Sequence, residues 1–378
     1  MSRKPKVIVF IDWFYPAHKA GGPIRSVYNI VMALSQEMNF YIVTSAYDIG
    51  EVKPLDGIET SIWLKKENYS IIYLEKETQT RKTYKSLIKE IKPQTIYLNS
   101  LFSLGFTLKP LLANTNKIRT VLAPRGMLKK EALAIKPLKK RVFLFFMRST
   151  RLMRSIVWHA SSDIEADEVY LHFGKKSNVV IAQNMAFSTP ERPVSTISKV
   201  PGVLRLVFVA RINAIKNLDF LLEVLSEMKN PMITLDIYGP IEEEEYWRSC
   251  SEMIVQNKLN VTYKGILGQF EKEKVLWNYD YLVLPTKGEN YGHVIVESFL
   301  SSLPVVISQE TPWINLEKQR AGFDLPLKLN VFKDCILRLV NQDLENYTEY
   351  VNGARAFSER YIVNSKVLSD NKKLFLND

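Results

Sequence analysis

Short runs of β-branched and aromatic residues recur along this chain at intervals filled by amphipathic stretches, and that alternation restricts the fold more than any other feature. Before residue 190 the runs are KVIVFI, NFYIVTS, SIIYL, TIYLN, RTVLAP, SIVWHAS and NVVIAQN. Strands wetted on one face would alternate apolar and polar residues, and these are too continuously apolar for that. The segments between them, such as SVYNIVMALSQE after KVIVFI, are long enough for a crossover helix. The pattern predicts a parallel sheet covered on both faces. LRLVFVA, MITLDIYG, NVTYKG, DYLVLP and LPVVIS repeat the theme in the second half, with LDFLLEVLSEM and HVIVESFLSS as helical stretches between them. Two similar doubly wound α/β halves are the most economical architecture.

Length agrees, since 378 residues at about 150 per domain suggest two domains. The stretch STPERPVSTISKVPG, 188 to 202, is rich in Pro, Ser and Thr and has no hydrophobic period, which marks an interdomain linker. The expected division is a first domain over 1–190, a linker over 191–202, a second domain over 203–360 and a helical tail over 361–378. From about Phe332 onward the pattern is wholly helical. Two cysteines, Cys250 and Cys335, cannot make a disulfide framework or a Cys-rich zinc site, so the cytosol is the expected compartment. VIVFI is too short for a signal-peptide core and VFLFFM, 142 to 147, too short to span a bilayer. A net charge of +11 favours a polyanionic partner: nucleic acid, anionic lipid or a phosphorylated substrate.

Three constellations could carry chemistry. Gly21-Gly22-Pro23 follows the first strand and its loop and precedes an amphipathic stretch, where backbone N–H groups can approach an anion; a Gly pair there is equally a plain turn. It is not the G-x-G-x-x-G of dinucleotide sites. Arg211 and Lys216 follow LRLVFVA, at the sheet edge where open α/β folds bind ligands. A planar fork beside a point charge suits a diphosphate, and two solvated cations are the plain alternative. GENYGHVIVES, 288 to 298, puts Glu289 in the loop after DYLVLP and Glu297 one turn into a helix beginning near Gly292. The N–H groups of residues 292 to 294 would add partial positive charge, and Glu297 could accept bonds from hydroxyls. Read as bare residues, the two glutamates are solvated side chains.

Arg-x4-Lys followed by Glu-x7-Glu, in a chain of two Rossmann-like halves, resembles the retaining glycosyltransferases of family 4, which have the GT-B fold. APRGMLKKEAL at 123–133, HASS at 159–162, VARINAIKN at 209–217, IYGP at 237–240 and LPTKGENYGHVIVES at 284–298 extend the resemblance over most of the chain. It implies two Rossmann-like domains facing a central cleft, an N-terminal one for the acceptor and a C-terminal one for a nucleotide-diphosphate sugar. It further implies a hexosyltransferase that retains anomeric configuration, in which Arg211 and Lys216 bind the donor diphosphate, Glu289 contacts the transferred sugar and Glu297 holds the ribose hydroxyls. Gly21 and Gly22 would approach donor or acceptor, and Gly239, Asn290, Tyr291, Gly292 and His293 complete the expected donor set. His293 would bond a sugar hydroxyl or a phosphate, or simply start the helix. No Asp-x-Asp occurs and His18, His159, His172 and His293 lack metal-ligand spacing, so catalysis without a metal or other cofactor is expected. Two departures stand out. Arg125 occupies the region where many members carry a histidine, either to bind an acidic acceptor group or as a structural surface residue, and Ser302 replaces a common glycine.

Between Leu128 and Ile156 stand nine basic residues (Lys129, Lys130, Lys136, Lys139, Lys140, Arg141, Arg148, Arg151, Arg154) against one acid, Glu131. VFLFFM is interleaved with them, a pattern of interfacial binding to anionic lipid, or of a core helix with a solvated basic face. In the first case the family resemblance implies a lipid-linked glycan acceptor of surface-polysaccharide assembly at the inner face of a bacterial membrane. Competing functions are another GT-B enzyme (an epimerase or phosphorylase), a non-catalytic sugar-nucleotide binder, or a nucleic-acid-binding protein. No nucleic acid is expected, because no zinc finger, RRM-like aromatic motif or basic heptad array is present.

Overall fold

Alternate residues of KVIVFI go to opposite faces of a sheet: Val7, Val9 and Ile11 join one apolar cluster, Ile8 and Phe10 the other. The computed structural model describes residues 4–134, 137–153, 155–186, 192–267, 272–362 and 365–376. It divides into one unit of Met1–Phe187 with Ser365–Asp378, and a second of Ser188–Asn364. The expected boundary at 190/191 lies outside the described residues.

The first unit holds β1 (Lys6–Ile11), β2 (Asn39–Ser45), β3 (Leu64–Lys65), β4 (Tyr69–Leu74), β5 (Thr95–Asn99), β6 (Arg119–Ala123), β7 (Ile156–Ala160) and β8 (Asn178–Ile181), in the order β3-β4-β2-β1-β5-β6-β7-β8. Every pairing is parallel except β3 with β4, a two-residue antiparallel edge that corrects the expectation of a purely parallel sheet. So short a strand leaves no periodic trace in a sequence. One face is covered by the Gly22–Leu34 helix through Ile24, Val27, Ile30, Val31 and Leu34, and the other by Arg81–Ile91 through Tyr84, Leu87, Ile88 and Ile91.

The second unit holds β9 (Leu204–Val209), β10 (Ile233–Tyr238), β11 (Val261–Tyr263), β12 (Tyr281–Leu284), β13 (Val305–Ser308) and β14 (Gly322–Leu325), all parallel, in the order β11-β10-β9-β12-β13-β14. β14, of sequence GFDL, was not among the expected strands. Ser302 before β13 has φ 53, the left-handed conformation in which a glycine is unstrained. Residues 192–202 are fastened to this unit. The buried Arg192 guanidinium donates to the carbonyls of Trp277 (2.9 Å) and Thr196 (3.2 Å), and the Lys199 ammonium to those of Val203 (2.5 Å) and Val340 (3.3 Å).

From residue 329 the chain is helical, in Leu329–Val340, Leu344–Tyr361 and Ser365–Phe375. The last of these packs in the first unit. Val367, Leu374 and Phe375 enter its core, the Thr95 hydroxyl donates to the Phe375 carbonyl (2.9 Å), and the Phe375 ring meets Phe40 and Tyr97 edge-on. Among the described residues no helix is long and apolar enough to cross a membrane.

Candidate active site

In the second unit the strand order reverses between β9 and β12, and loops after neighbouring strands diverge there to leave a crevice at the carboxyl edge. Arg211 and Lys216 lie in the loop after β9, Glu289 in the loop after β12. The two loops are tied through Ile215, whose carbonyl accepts from the Lys287 N–H (2.8 Å) and the Thr286 hydroxyl (3.2 Å). Across this junction the Lys216 ammonium meets the Glu289 carboxylate at 2.5 Å, with the side chains only 13% and 19% exposed. Asn213 extends the cluster: its Oδ1 accepts from the Lys216 backbone N–H (3.1 Å) and its amide donates to Glu242. Glu242 also takes Arg211 at 2.5 Å, but that pair is open to solvent and so holds the guanidinium weakly. An incoming dianion could exchange for Glu242.

The 293–300 helix starts beside Glu289. Its N-cap Gly292 has φ 72 and provides no side-chain cap, and a Cβ there would lie 3.1 Å from the Glu289 Cγ. His293 opens the first turn, its ring 5.0 Å from that of Tyr291; Asn290 is half-buried in the loop. Tyr291 is pinned by its carbonyl, which accepts from the Trp313 indole N–H (2.5 Å), and burial raises its phenol above the ordinary range. Glu297, buried, pairs with Lys272 at 2.7 Å. A carboxylate expected to be open to hydroxyls thus already holds a cation, 25 residues away in sequence and marked by no motif. Lys272, Glu242 and Asn213 are the parts of this cluster that sequence reasoning missed. Gly239, at the end of β10, has a steric role as well: with φ 142 its Cβ position is 1.8 Å from the Ala210 carbonyl oxygen, one residue before Arg211.

The first unit has its own reversal, between β1 and β5. Gly21 (φ 63) ends the loop after β1 and Gly22 begins the helix; the loop is held by buried Asp48, which accepts from the backbone N–H groups of His18 (3.0 Å), Lys19 (3.3 Å) and Ile49 (2.7 Å). Asp12, just past β1, accepts from the Ser103 hydroxyl at 2.6 Å. Burial raises its carboxyl from 3.8 to about 6, against that hydrogen bond. The folded chain then binds this proton more tightly than the unfolded one, so stability is lost as pH climbs from about 4 through 6. Asp12→Asn keeps an acceptor for Ser103 and should stabilise the fold at pH 8 by on the order of 1–3 kcal/mol. The gain should fade towards pH 4 in thermal melts; an equal gain at both pH values would refute this account.

Arg125 is half-buried and engaged along its whole guanidinium. Its Nε donates to Asn99 Oδ1 (2.7 Å), Nη1 to Asn184 Oδ1 (2.5 Å) and Nη2 to the Tyr97 hydroxyl (2.7 Å). The structural alternative is thus met by a half-buried side chain rather than a solvated one. The Tyr97 hydroxyl meets His159 Nδ1 at 2.8 Å and His159 Nε2 meets the Ala182 carbonyl at 2.8 Å. A carbonyl only accepts, so Nε2 carries the hydrogen and Nδ1 accepts from Tyr97. Burial, helped by the Arg125 charge, lowers His159 to about 3 and keeps it neutral. Glu165 closes the adjoining loop, taking the Gly126 N–H (2.6 Å) and both the N–H and hydroxyl of Ser161 (2.7 Å). Ser162-x-x-Glu165 is a capping-box spacing, a signal from which this glutamate could have been found.

Residues 204–342 match the family model described as glycosyl transferases group 1. A curated relative from Klebsiella pneumoniae, an uncharacterized 41.2 kDa protein in the cps region, is 24% identical over 229 residues, which cover 58% of this chain and 61% of the relative. The chain thus matches less than two thirds of that relative's length. Among solved structures, Anabaena HepE in complex with UDP and glucose aligns with a TM-score of 0.71 at 16% identity, covering 98% of both chains. WaaG, a glycosyltransferase involved in lipopolysaccharide biosynthesis, aligns at 0.68 with 14% identity, covering 99% of this chain and all of the other. The two doubly wound units thus share the GT-B fold of these solved structures, and residues 204–342 match the group 1 glycosyl transferase model.

Proposed function

We propose that the protein transfers a hexose from a nucleotide-diphosphate sugar to a glycan or lipid-linked glycan acceptor in polysaccharide biosynthesis, with retention of anomeric configuration and without a divalent metal. The observation that carries this reading is the cluster at the β9/β12 reversal. There Arg211, Lys216 and the start of the 293–300 helix bring positive charge to one edge beside the carboxylates of Glu289 and Glu297. Breaking a glycosidic bond to a diphosphate leaves negative charge on the departing group as an oxocarbenium-like centre forms on the sugar. Fixed cations and backbone N–H groups stabilise the first, and a carboxylate such as Glu289 the second. Glu297 would hold ribose hydroxyls, with Asn290, Tyr291, Gly292 and His293 lining the donor loop and Gly239 its far side. In the first unit, Gly21 and Gly22 would approach the substrates, while Arg125 shapes the acceptor side through Asn99 and Asn184.

HepE, solved with UDP and glucose, supports a nucleotide-sugar donor, and WaaG supports an acceptor of the surface-glycan class. The test is a panel of nucleotide sugars scored by thermal stabilisation and slow donor hydrolysis. The anomeric configuration of the product would be read by NMR, and activity measured with and without EDTA. One selective donor, a retained anomer and indifference to EDTA are expected. An inverted product or EDTA-abolished turnover would overturn the mechanism, and a folded protein that answers no donor would overturn the transferase reading itself.

A further inference from the structure

The helix Pro137–Ser149, PLKKRVFLFFMRS, carries four cations and no acid. Its inner face is settled by Leu144 and Met147, buried in the first unit's core, with Phe143 against them and the Lys140 ammonium 5.2 Å over the Phe102 ring. A helix anchored in this way should turn charged residues outward. Instead, Leu138, Val142, Phe145 and Phe146 are exposed by 75%, 61%, 74% and 46%. At 3.6 residues per turn they form one stripe spanning roughly 100° on the side away from the core. Lys139 borders the stripe on one edge, Arg141 and Arg148 on the other, and all three are exposed. Of the basic segment's other members, Lys136 and Arg154 lie outside the described residues, as do the side chains of Glu131 and Arg151.

We infer that this face docks the protein on an anionic lipid surface, the four apolar side chains entering the headgroup boundary while the flanking cations meet lipid phosphates. Charge complementarity selects the occupant. An apolar stripe alone would suit another protein, but a stripe edged on both sides by cations, with no acid on its helix, suits a surface that is apolar below and negative above. Of the basic segment's two alternative readings, the core helix describes the inner face, while the solvent side is not a simple solvated basic face. This inference does not rest on the proposed reaction, and its test uses neither donor nor acceptor.

Full-length protein would be sedimented with vesicles of phosphatidylcholine alone, or with about a third phosphatidylglycerol, at low and high salt. Binding is expected to the anionic vesicles at low salt and to weaken with salt. Lys139→Ser with Arg141→Ser should lower the partition coefficient on the order of tenfold, and Val142→Ser with Phe145→Ser by at least about as much. Both pairs are exposed, so melting temperatures should match the wild type and certify the fold. Wild-type protein left in the supernatant, equal binding to neutral vesicles, or double variants that bind like wild type would each overturn the inference. So would wild-type self-association that Val142→Ser with Phe145→Ser abolishes without any vesicle binding, because the stripe would then belong to a second copy of this chain.

Discussion

Lys216→Ala should lower donor turnover by about 10²–10³-fold, the cost of removing one preorganised group that stabilises charge developing on a leaving group. The variant also strips Glu289 of its partner at 2.5 Å, so a simple loss of activity is ambiguous. A double-mutant cycle resolves it. If Lys216 acts on the diphosphate, the double variant with Glu289→Ala should be slower than Glu289→Ala alone. If Lys216 only orients Glu289, the two should be equally slow, and the diphosphate role is lost. Thermal midpoints should fall only modestly in each case, because the pair is partly wet and neither side chain belongs to an apolar cluster.

Gly239→Ala should be the most damaging single methyl at the carboxyl edge of the second unit's sheet. Its Cβ would sit 1.8 Å from the Ala210 oxygen and 2.6 Å from the Ala210 carbonyl carbon, both backbone atoms that no rotamer change can move, at a φ of 142 that side chains avoid. Relief requires β9 and β10 to part at their carboxyl ends, which would displace Arg211. A loss of about 3 kcal/mol or more is expected in urea unfolding, with donor affinity falling in whatever fraction stays folded. Gly288→Ala is the control, since nothing lies within 4 Å of its Cβ position. Equal unfolding midpoints for the two variants would show that the β9–β10 junction yields, and the packing argument would fall.

The strand and helix rhythm was legible because both faces of a doubly wound sheet are buried, and continuous apolar runs betray that directly. Lys216 and Glu289 were each legible as lying just past a strand, but their ion pair across 73 residues was not, because it depends on β9 and β12 being neighbours. Other partners set by packing were not legible either. Lys272 beneath Glu297, Glu242 on Arg211 and the Arg125 network with Asn99, Asn184 and Tyr97 depend on which loops touch, and no local spacing encodes that. The Pro137–Ser149 helix shows the same limit. Its sequence is apolar on two faces, and only the fold decides which of them meets the core.

The Ser365–Phe375 helix gives the polypeptide a return path with consequences for biogenesis. Phe375 abuts Phe40 and Tyr97, and Val367 and Leu374 complete the same apolar layer, so the first unit lacks part of its core until residue 375 has been synthesised. Domains ordinarily fold in turn as they leave the ribosome. Here β1 and β2 wait for a helix that lies beyond the next unit in the chain, and the whole Ser188–Asn364 unit must be made before the layer beside β1 and β5 can close.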